Sequence, residues 1–324
     1  MNQRLLSILN QFKNKKILVI GDVMLDKYIW GSVTRISPEA PVQIVKVEKE
    51  SYAPGGASNV ANNITALNAN VFMVGIVGND DANNILNNEL KKKGINTEGI
   101  VVDEKKPTIQ KIRVLSQNQQ LIRVDYEKLD YEDKIIEKNI INNIKKLINN
   151  VDAIIISDYA KGVITNDVIK NTIETAKKNN KIIIIDPKPK HMRFYKNVTL
   201  VTPNHKEASE MSNIAEKNDE DLIKIGKKLL KDLESPLLIT RGEKGMTLFE
   251  KDGKITNIPT KAKEVYDVTG AGDTVVAAVT LSLASGANVK EAAAIANYAA
   301  GIVVGKVGTS TASIDELKNS LEDE

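Results

Sequence analysis

The chain contains no cysteine. Disulfides, thiolate metal sites and a cysteine nucleophile are thereby excluded. Histidine is nearly absent, and neither His191 nor His205 has partners at metal-ligand spacing, so both read as polar surface or loop residues. The single tryptophan, Trp30, reads as a packing anchor. No run approaches about 18 consecutive apolar residues, so no membrane span is expected. An excess of one charge is also missing: 45 Lys and Arg face 42 Asp and Glu, a net charge of +3. The two signs interleave along helical stretches such as 219–234, the pattern of a solvated face. No helix-turn-helix, zinc-finger or aromatic-basic pattern accompanies them, and no nucleic-acid partner is expected. A Walker A loop is lacking too. The nearest approach, 301–307, is one residue short and has Val307 where a magnesium-binding hydroxyl is needed, so it reads as a helix end.

What is present suits one large α/β domain, since 324 residues can bury a substantial core. Residues 16–21, 153–157 and 181–186 are buried-type strands, separated by helical patterns at 132–149 and 165–179. This alternation predicts a doubly wound, mostly parallel sheet with helices on both faces. Ligands then belong at the carboxyl ends of the strands. Segments 33–51 and 100–125 break the pattern, with period-two alternation such as Ile109, Ile112 and Val114, and read as antiparallel strands outside the main sheet. Near the N-terminus, Leu5, Leu6, Ile8, Leu9 and Phe12 fall at helical spacing and a strand follows at once. That is not a signal-peptide pattern, and a cytoplasmic protein is expected.

The chemistry concentrates in Asp267-Val268-Thr269-Gly270-Ala271-Gly272-Asp273. Gly270, Ala271 and Gly272 let a ligand approach the backbone closely, and the apolar run 275–284 reads as a helix. Their N–H groups would point at an anion from a helix N-terminus. Asp273, just inside that terminus, can face the same bound group and take a proton from an attacking hydroxyl. The pattern points to phosphoryl transfer.

These residues resemble the C-terminal signature of the ribokinase-like (PfkB) carbohydrate kinases. Gly55-Gly56-Ala57-Ser58-Asn59-Val60-Ala61 is similar to the family's N-terminal signature. Between them, Asn204-His205-Lys206-Glu207 resembles its Asn-x-x-Glu metal motif, and Thr240-Arg241-Gly242-Glu243-Lys244-Gly245 its nucleotide-binding turn. A closer resemblance is to the kinases that phosphorylate D-glycero-β-D-manno-heptose 7-phosphate at C1 on the way to ADP-heptose. It is carried by residues 34–42, 118–125, Ser157-Asp158-Tyr159-Ala160-Lys161-Gly162 and 304–310. Glycine is expected where Ala160 and Pro189 stand, and both departures stiffen loops beside the nucleotide.

The resemblance implies ATP and Mg²⁺ as cofactors, a possible monovalent cation such as K⁺, and a β lid, formed by the two alternating segments, over the sugar. It also implies a homodimer paired through that lid. Asp273 is then the catalytic base and the 270–272 turn the anion hole. Asp22, Asp26, Gly55, Gly56 and Asn59 bind the acceptor sugar, while Arg35, Arg113 and Arg123 are candidates for its phosphate. Lys161, Lys188, Thr240, Arg241, Gly242, Gly245 and Asn297 fall on the nucleotide side, with Asn204. Glu207 organises Mg²⁺ through water, or caps a helix with Asn204. Asp267 and Thr309 match a monovalent-cation site. A single kinase domain over 1–324, with no nucleotidyltransferase domain, is expected. The open alternatives are a related kinase of another sugar, sugar phosphate or nucleoside, and a silent sugar-phosphate-binding regulator.

Overall fold

The computed structural model describes residues 2–117, 119–128, 133–262, 264–306, 308 and 310–322. The strands are β1 (Lys16–Gly21), β2 (Val23–Ile36), β3 (Gln43–Gly56), β4 (Asn70–Gly78), β5 (Asn96–Asp103), β6 (Ile109–Ser116) and β7 (Gln119–Tyr126). They continue as β8 (Ala153–Ser157), β9 (Ile182–Asp186), β10 (Leu200–Val201), β11 (Leu237–Thr240), β12 (Met246–Phe249) and β13 (Ile255–Ile258). Nine of them form one sheet in the order β13-β12-β11-β10-β9-β8-β1-β4-β5, in which β12 alone runs against the others. Strands such as Ala153–Ser157 are apolar on both faces because both are covered.

One face carries α1 (Asn2–Leu9), α2 (Ala57–Ala66), α3 (Asp81–Lys92), α8 (Ala271–Ala284), α9 (Val289–Val304) and α10 (Ile314–Glu322). The other carries α4 (Lys134–Leu147), α5 (Asn166–Lys178), α6 (His205–Ser212) and α7 (Asp219–Leu233). Each face has its own apolar core. Helix α8 is apolar nearly all round and buried along its length, as a helix sandwiched between a sheet and another helix must be. Chain direction across the sheet reverses at β1, between β8 and β4, so a crevice opens above its carboxyl end.

The remaining four strands form a second sheet, β3-β2-β6-β7, that overhangs this crevice. It differs from the expected lid at its edges. Residues 100–103 belong to β5 in the main sheet, and the lid hairpin begins only at Ile109. At the other end, β2 and β3 run as one long pair from Val23↔Gly56, so the lid grows directly from the strand ends that flank the crevice. The alternation in β6 and β7 sorts the lid into two faces. Arg113 and Arg123 are opposite one another on one face, and Ile112↔Val124 and Val114↔Ile122 are paired on the other.

Candidate active site

Helix α8 begins at Ala271, earlier than the apolar run alone indicates, with Gly270 as its N-cap at φ 81°. That backbone conformation is open to glycine and strained for other residues. A Cβ on Gly272 would meet nothing within 4 Å, so nothing in the protein itself fills the space beside that residue. The free N–H groups of the first turn and the helix dipole make this end electropositive. Gly270, Gly272 and Asp273 line a cleft of about 160 Å³ together with Lys188, Asn204, Glu207 and Thr240.

Asp273 is 7% exposed. Asn59, on α2, donates from Nδ2 to its Oδ2 at 2.7 Å, and the Tyr159 hydroxyl donates to its Oδ1 at 2.7 Å. Burial pushes the Asp273 carboxyl up to about 6 against the opposing pull of these two bonds, with Asp26 adding to the rise and Lys188 resisting it. A carboxylate tuned toward neutrality and still reached from a cleft suits a general base.

Glu207 stands at the start of α6, where it and Asn204 form a reciprocal capping box. Its other carboxylate oxygen is paired with Lys188. Although burial pulls the Lys188 ammonium down, Glu207 outweighs that effect and holds it above its usual value. Asp186, at the end of β9, is pushed well above the ordinary carboxyl range by burial and then by the charges of Asp273 and Glu207. Among the described residues no three such side chains are close enough to hold a bare ion. The oxygen-rich cleft nonetheless fits Mg²⁺, which keeps several waters and shares the rest of its shell with phosphates.

Several expected positions are elsewhere. Asp22 is wholly buried, its carboxylate accepting from the backbone N–H groups of Tyr159, Lys161 and Val163. It scaffolds the 158–163 loop and is not open to a sugar hydroxyl. Asp26 is the better placed acid: it is 2.7 Å from the Arg113 guanidinium, and a Cβ on Gly55 would collide with it. Gly56, at φ 55°, begins α2 beneath them. Arg123 shares the inner lid face with Arg113 and is paired with Asp125, whereas Arg35 is exposed near the far end of β2.

Lys161 turns away from the Asp273 cleft into a separate cavity of about 840 Å³ and is paired with Glu127 at 2.7 Å. The Arg241 guanidinium is packed inward against Asp219, while Gly242 and Gly245, both at positive φ, shape the turn between β11 and β12. Asn297 donates to the Pro259 carbonyl at 2.6 Å, bracing the exit from β13. Asp267 accepts from the N–H groups of Thr269 and Gly308, which hold its carboxyl low despite partial burial. Thr309, Asn118 and Val307 lie outside the described residues.

The histidine expectation is half corrected. His191 is buried against Asp158, which also accepts from Tyr195, so it is a core partner of a buried acid. His205 faces Glu216 at the surface. Ala160, where the resemblance implies glycine, adopts φ 56°, a conformation that favours glycine, and Pro189 opens the 3-10 turn Pro189–Phe194. Tyr159 was missed as a site residue, although a tyrosine just past the carboxyl end of a buried strand is a readable signal.

Comparison with known proteins agrees with this geometry. Residues 14–316 match the family model described as pfkB family carbohydrate kinase. The bifunctional protein HldE of Geobacter sulfurreducens is 45% identical over 305 residues, covering 94% of this chain and 62% of that protein. That of Helicobacter pylori is 44% identical over 304 residues, covering 94% of the chain and 65% of the relative. The chain therefore spans somewhat under two thirds of these relatives. Among solved structures, Arabidopsis thaliana ribokinase complexed with ribose and ATP superposes with a TM-score of 0.75 at 19% identity, covering 95% of this chain and 99% of that one. Escherichia coli phosphofructokinase-2 in complex with potassium gives 0.78 at 18%, covering 95% and 98%. Likeness at that identity speaks for the fold.

Proposed function

The chain belongs to the pfkB family of carbohydrate kinases and is a phosphotransferase acting on a sugar, and from that premise we propose that it moves the γ-phosphoryl group of ATP to the C1 hydroxyl of D-glycero-β-D-manno-heptose 7-phosphate. The observation that carries this reading is the buried, upshifted Asp273 at the glycine-capped start of α8. Asp273 takes the proton of the C1 hydroxyl as the new O–P bond forms and the bond to the β-phosphate oxygen breaks. The N–H groups of Gly270 and Gly272 would face the charge that develops on the transferred group, the Ala271 N–H being taken by the Val268 carbonyl. Mg²⁺, when bound, neutralises phosphate charge, and Glu207 with Asn204 would hold its water shell.

Support for the acceptor comes from the inner lid face. Arg113, Arg123 and Asp26 are suited to a phosphorylated sugar: Arg forks match phosphate and the acid accepts hydroxyls. Asn59 Oδ1 is buried with no hydrogen-bond partner among the described residues, an unused acceptor close to the base. The resemblance of residues 157–162 and their companion segments to heptose 7-phosphate kinases selects among sugars. The outer lid face, with Ile122, Val124 and Tyr126 all exposed, supports a homodimer paired through the lid.

The test is kcat/KM for heptose 7-phosphate, the unphosphorylated heptose, ribose, fructose 6-phosphate and adenosine. The heptose 7-phosphate should lead by on the order of 10³-fold, since a site built for a phosphate leaves its cations unpaired without one. A lead for ribose or fructose 6-phosphate overturns the substrate and leaves the mechanism standing.

A further inference from the structure

The 158–163 loop is anchored with unusual density for a surface connection. Its backbone gives three N–H bonds to the buried Asp22 carboxylate. The Lys106 ammonium, just before lid strand β6, donates to the Lys161 carbonyl at 2.6 Å, and Lys161 in turn pairs with Glu127, just after β7. Burial lowers the Lys106 pKa, and that cost is accepted to hold one carbonyl. What the anchored loop presents to the cleft is Tyr159. The Lys188 ammonium is 5.6 Å from its ring centroid, and its hydroxyl is on Asp273.

We infer that Tyr159 is a positioning residue for phosphoryl transfer: its hydroxyl and the Asn59 amide clamp the two oxygens of Asp273 and set both its orientation and its basicity. This rests on the reading of Asp273 as the base. Two donors on opposite oxygens leave the carboxylate one rotational setting, with its remaining lone pairs free for the incoming hydroxyl. The Tyr159 hydroxyl is itself driven well above the usual tyrosine range, first by burial and then by the Asp273 charge, so it stays a donor across the working pH range. The other charged groups around Asp273 are Asp26 on β2, Asp186 at the end of β9 and Lys188 beyond it, and none of them makes a hydrogen bond to its carboxylate.

The experiment compares pH profiles of kcat/KM for the wild type, Tyr159→Phe and Asp273→Asn, with circular dichroism and ATP affinity reporting the fold. Removing the hydroxyl takes a bond from the charged carboxylate, so the acid limb of Tyr159→Phe should move up by about one pH unit. Activity then falls about tenfold below the limb and recovers to within about threefold of wild type well above it. An unmoved limb, or a loss uniform across pH, overturns the inference, because a purely structural defect does not depend on pH. An inactive Asp273→Asn beside an unshifted Tyr159→Phe defeats only the clamp. An active Asp273→Asn defeats the base and the clamp together. A readout independent of turnover is the pH above which the stability gap between wild type and Asp273→Asn stops widening, set by the folded-state titration of Asp273; it should rise in the Tyr159→Phe background and overturns the clamp if it does not.

Discussion

Asn59 and Asp273, 214 positions apart in the chain, meet through a 2.7 Å hydrogen bond that joins the first turns of α2 and α8. Neither helix alone makes a site: α2 supplies a donor and α8 an anion-binding end. Their junction places a carboxylate where water is scarce and a phosphate is welcome.

That placement has a thermodynamic signature. Asp273 favours its protonated form in the folded state, about 6 against 3.8 when unconstrained, so its favourable contribution is complete below about pH 4 and is lost as pH rises through about 6. Asp273→Asn removes the penalty. It should be more stable than wild type by roughly 1–3 kcal/mol above pH 6, with the gap closing toward pH 4. Its kcat should fall by at least ~10²-fold. Calorimetry across pH beside turnover checks both, and a variant less stable at pH 8 contradicts the buried-charge account.

Glu207→Gln keeps the capping box, because glutamine at the third helical position can return the same bond. It removes the charge opposite Lys188. The melting temperature should barely move while the Mg²⁺ concentration for half-maximal activity rises. An unchanged Mg²⁺ titration with normal turnover would leave Glu207 as a helix cap alone.

Gly245 has φ 80°, and a Cβ there would stand 2.1 Å from the Ile258 carbonyl oxygen. Gly245→Ala should cost about 1–3 kcal/mol and, if the turn serves the nucleotide as its resemblance implies, raise the KM for ATP more than that for the sugar. Denaturant unfolding and separate KM values decide it; equal effects on both substrates would count against the assignment.

The lid's outer face predicts self-association. Placing Glu at both Ile122 and Val124 should convert a dimer into a monomer at micromolar concentration by sedimentation, with the main-sheet fold intact. A wild type that sediments as a monomer rejects the pairing outright.

The elements legible in the sequence were those whose signals are local. The anion turn was readable because Gly270 answers a backbone demand at its own position, and the lid because alternation in residues 109–116 is visible without a partner. Asp22 and Lys161 read as ligand-facing because a strand end followed by a polar residue carries no mark of what covers it, and Asn297, inside α9, carries no mark of the carbonyl it meets. Asp22 is sealed by a loop some 137 positions away, and Asn297 is engaged by a carbonyl 38 positions back. Direction of a side chain is a tertiary property. Tyr159 illustrates the converse: its place past a strand end is legible locally, but its bond to Asp273 follows only once α8 is brought beneath it.

The Asp22, Lys106, Glu127 and Lys161 connections also constrain how such a protein can diverge. Asp22 and Lys106 engage the backbone N–H and carbonyl of residue 161, which any side chain leaves in place, and only Glu127 and Lys161 are tied side chain to side chain. A lone replacement of Asp22 or Lys106 strands backbone groups of the loop, whereas replacing Lys161 leaves Glu127 its pair with Lys111. Lineages that acquire a new sugar preference should therefore vary the inner lid face and position 161 while keeping an acid at 22 and a cation at 106.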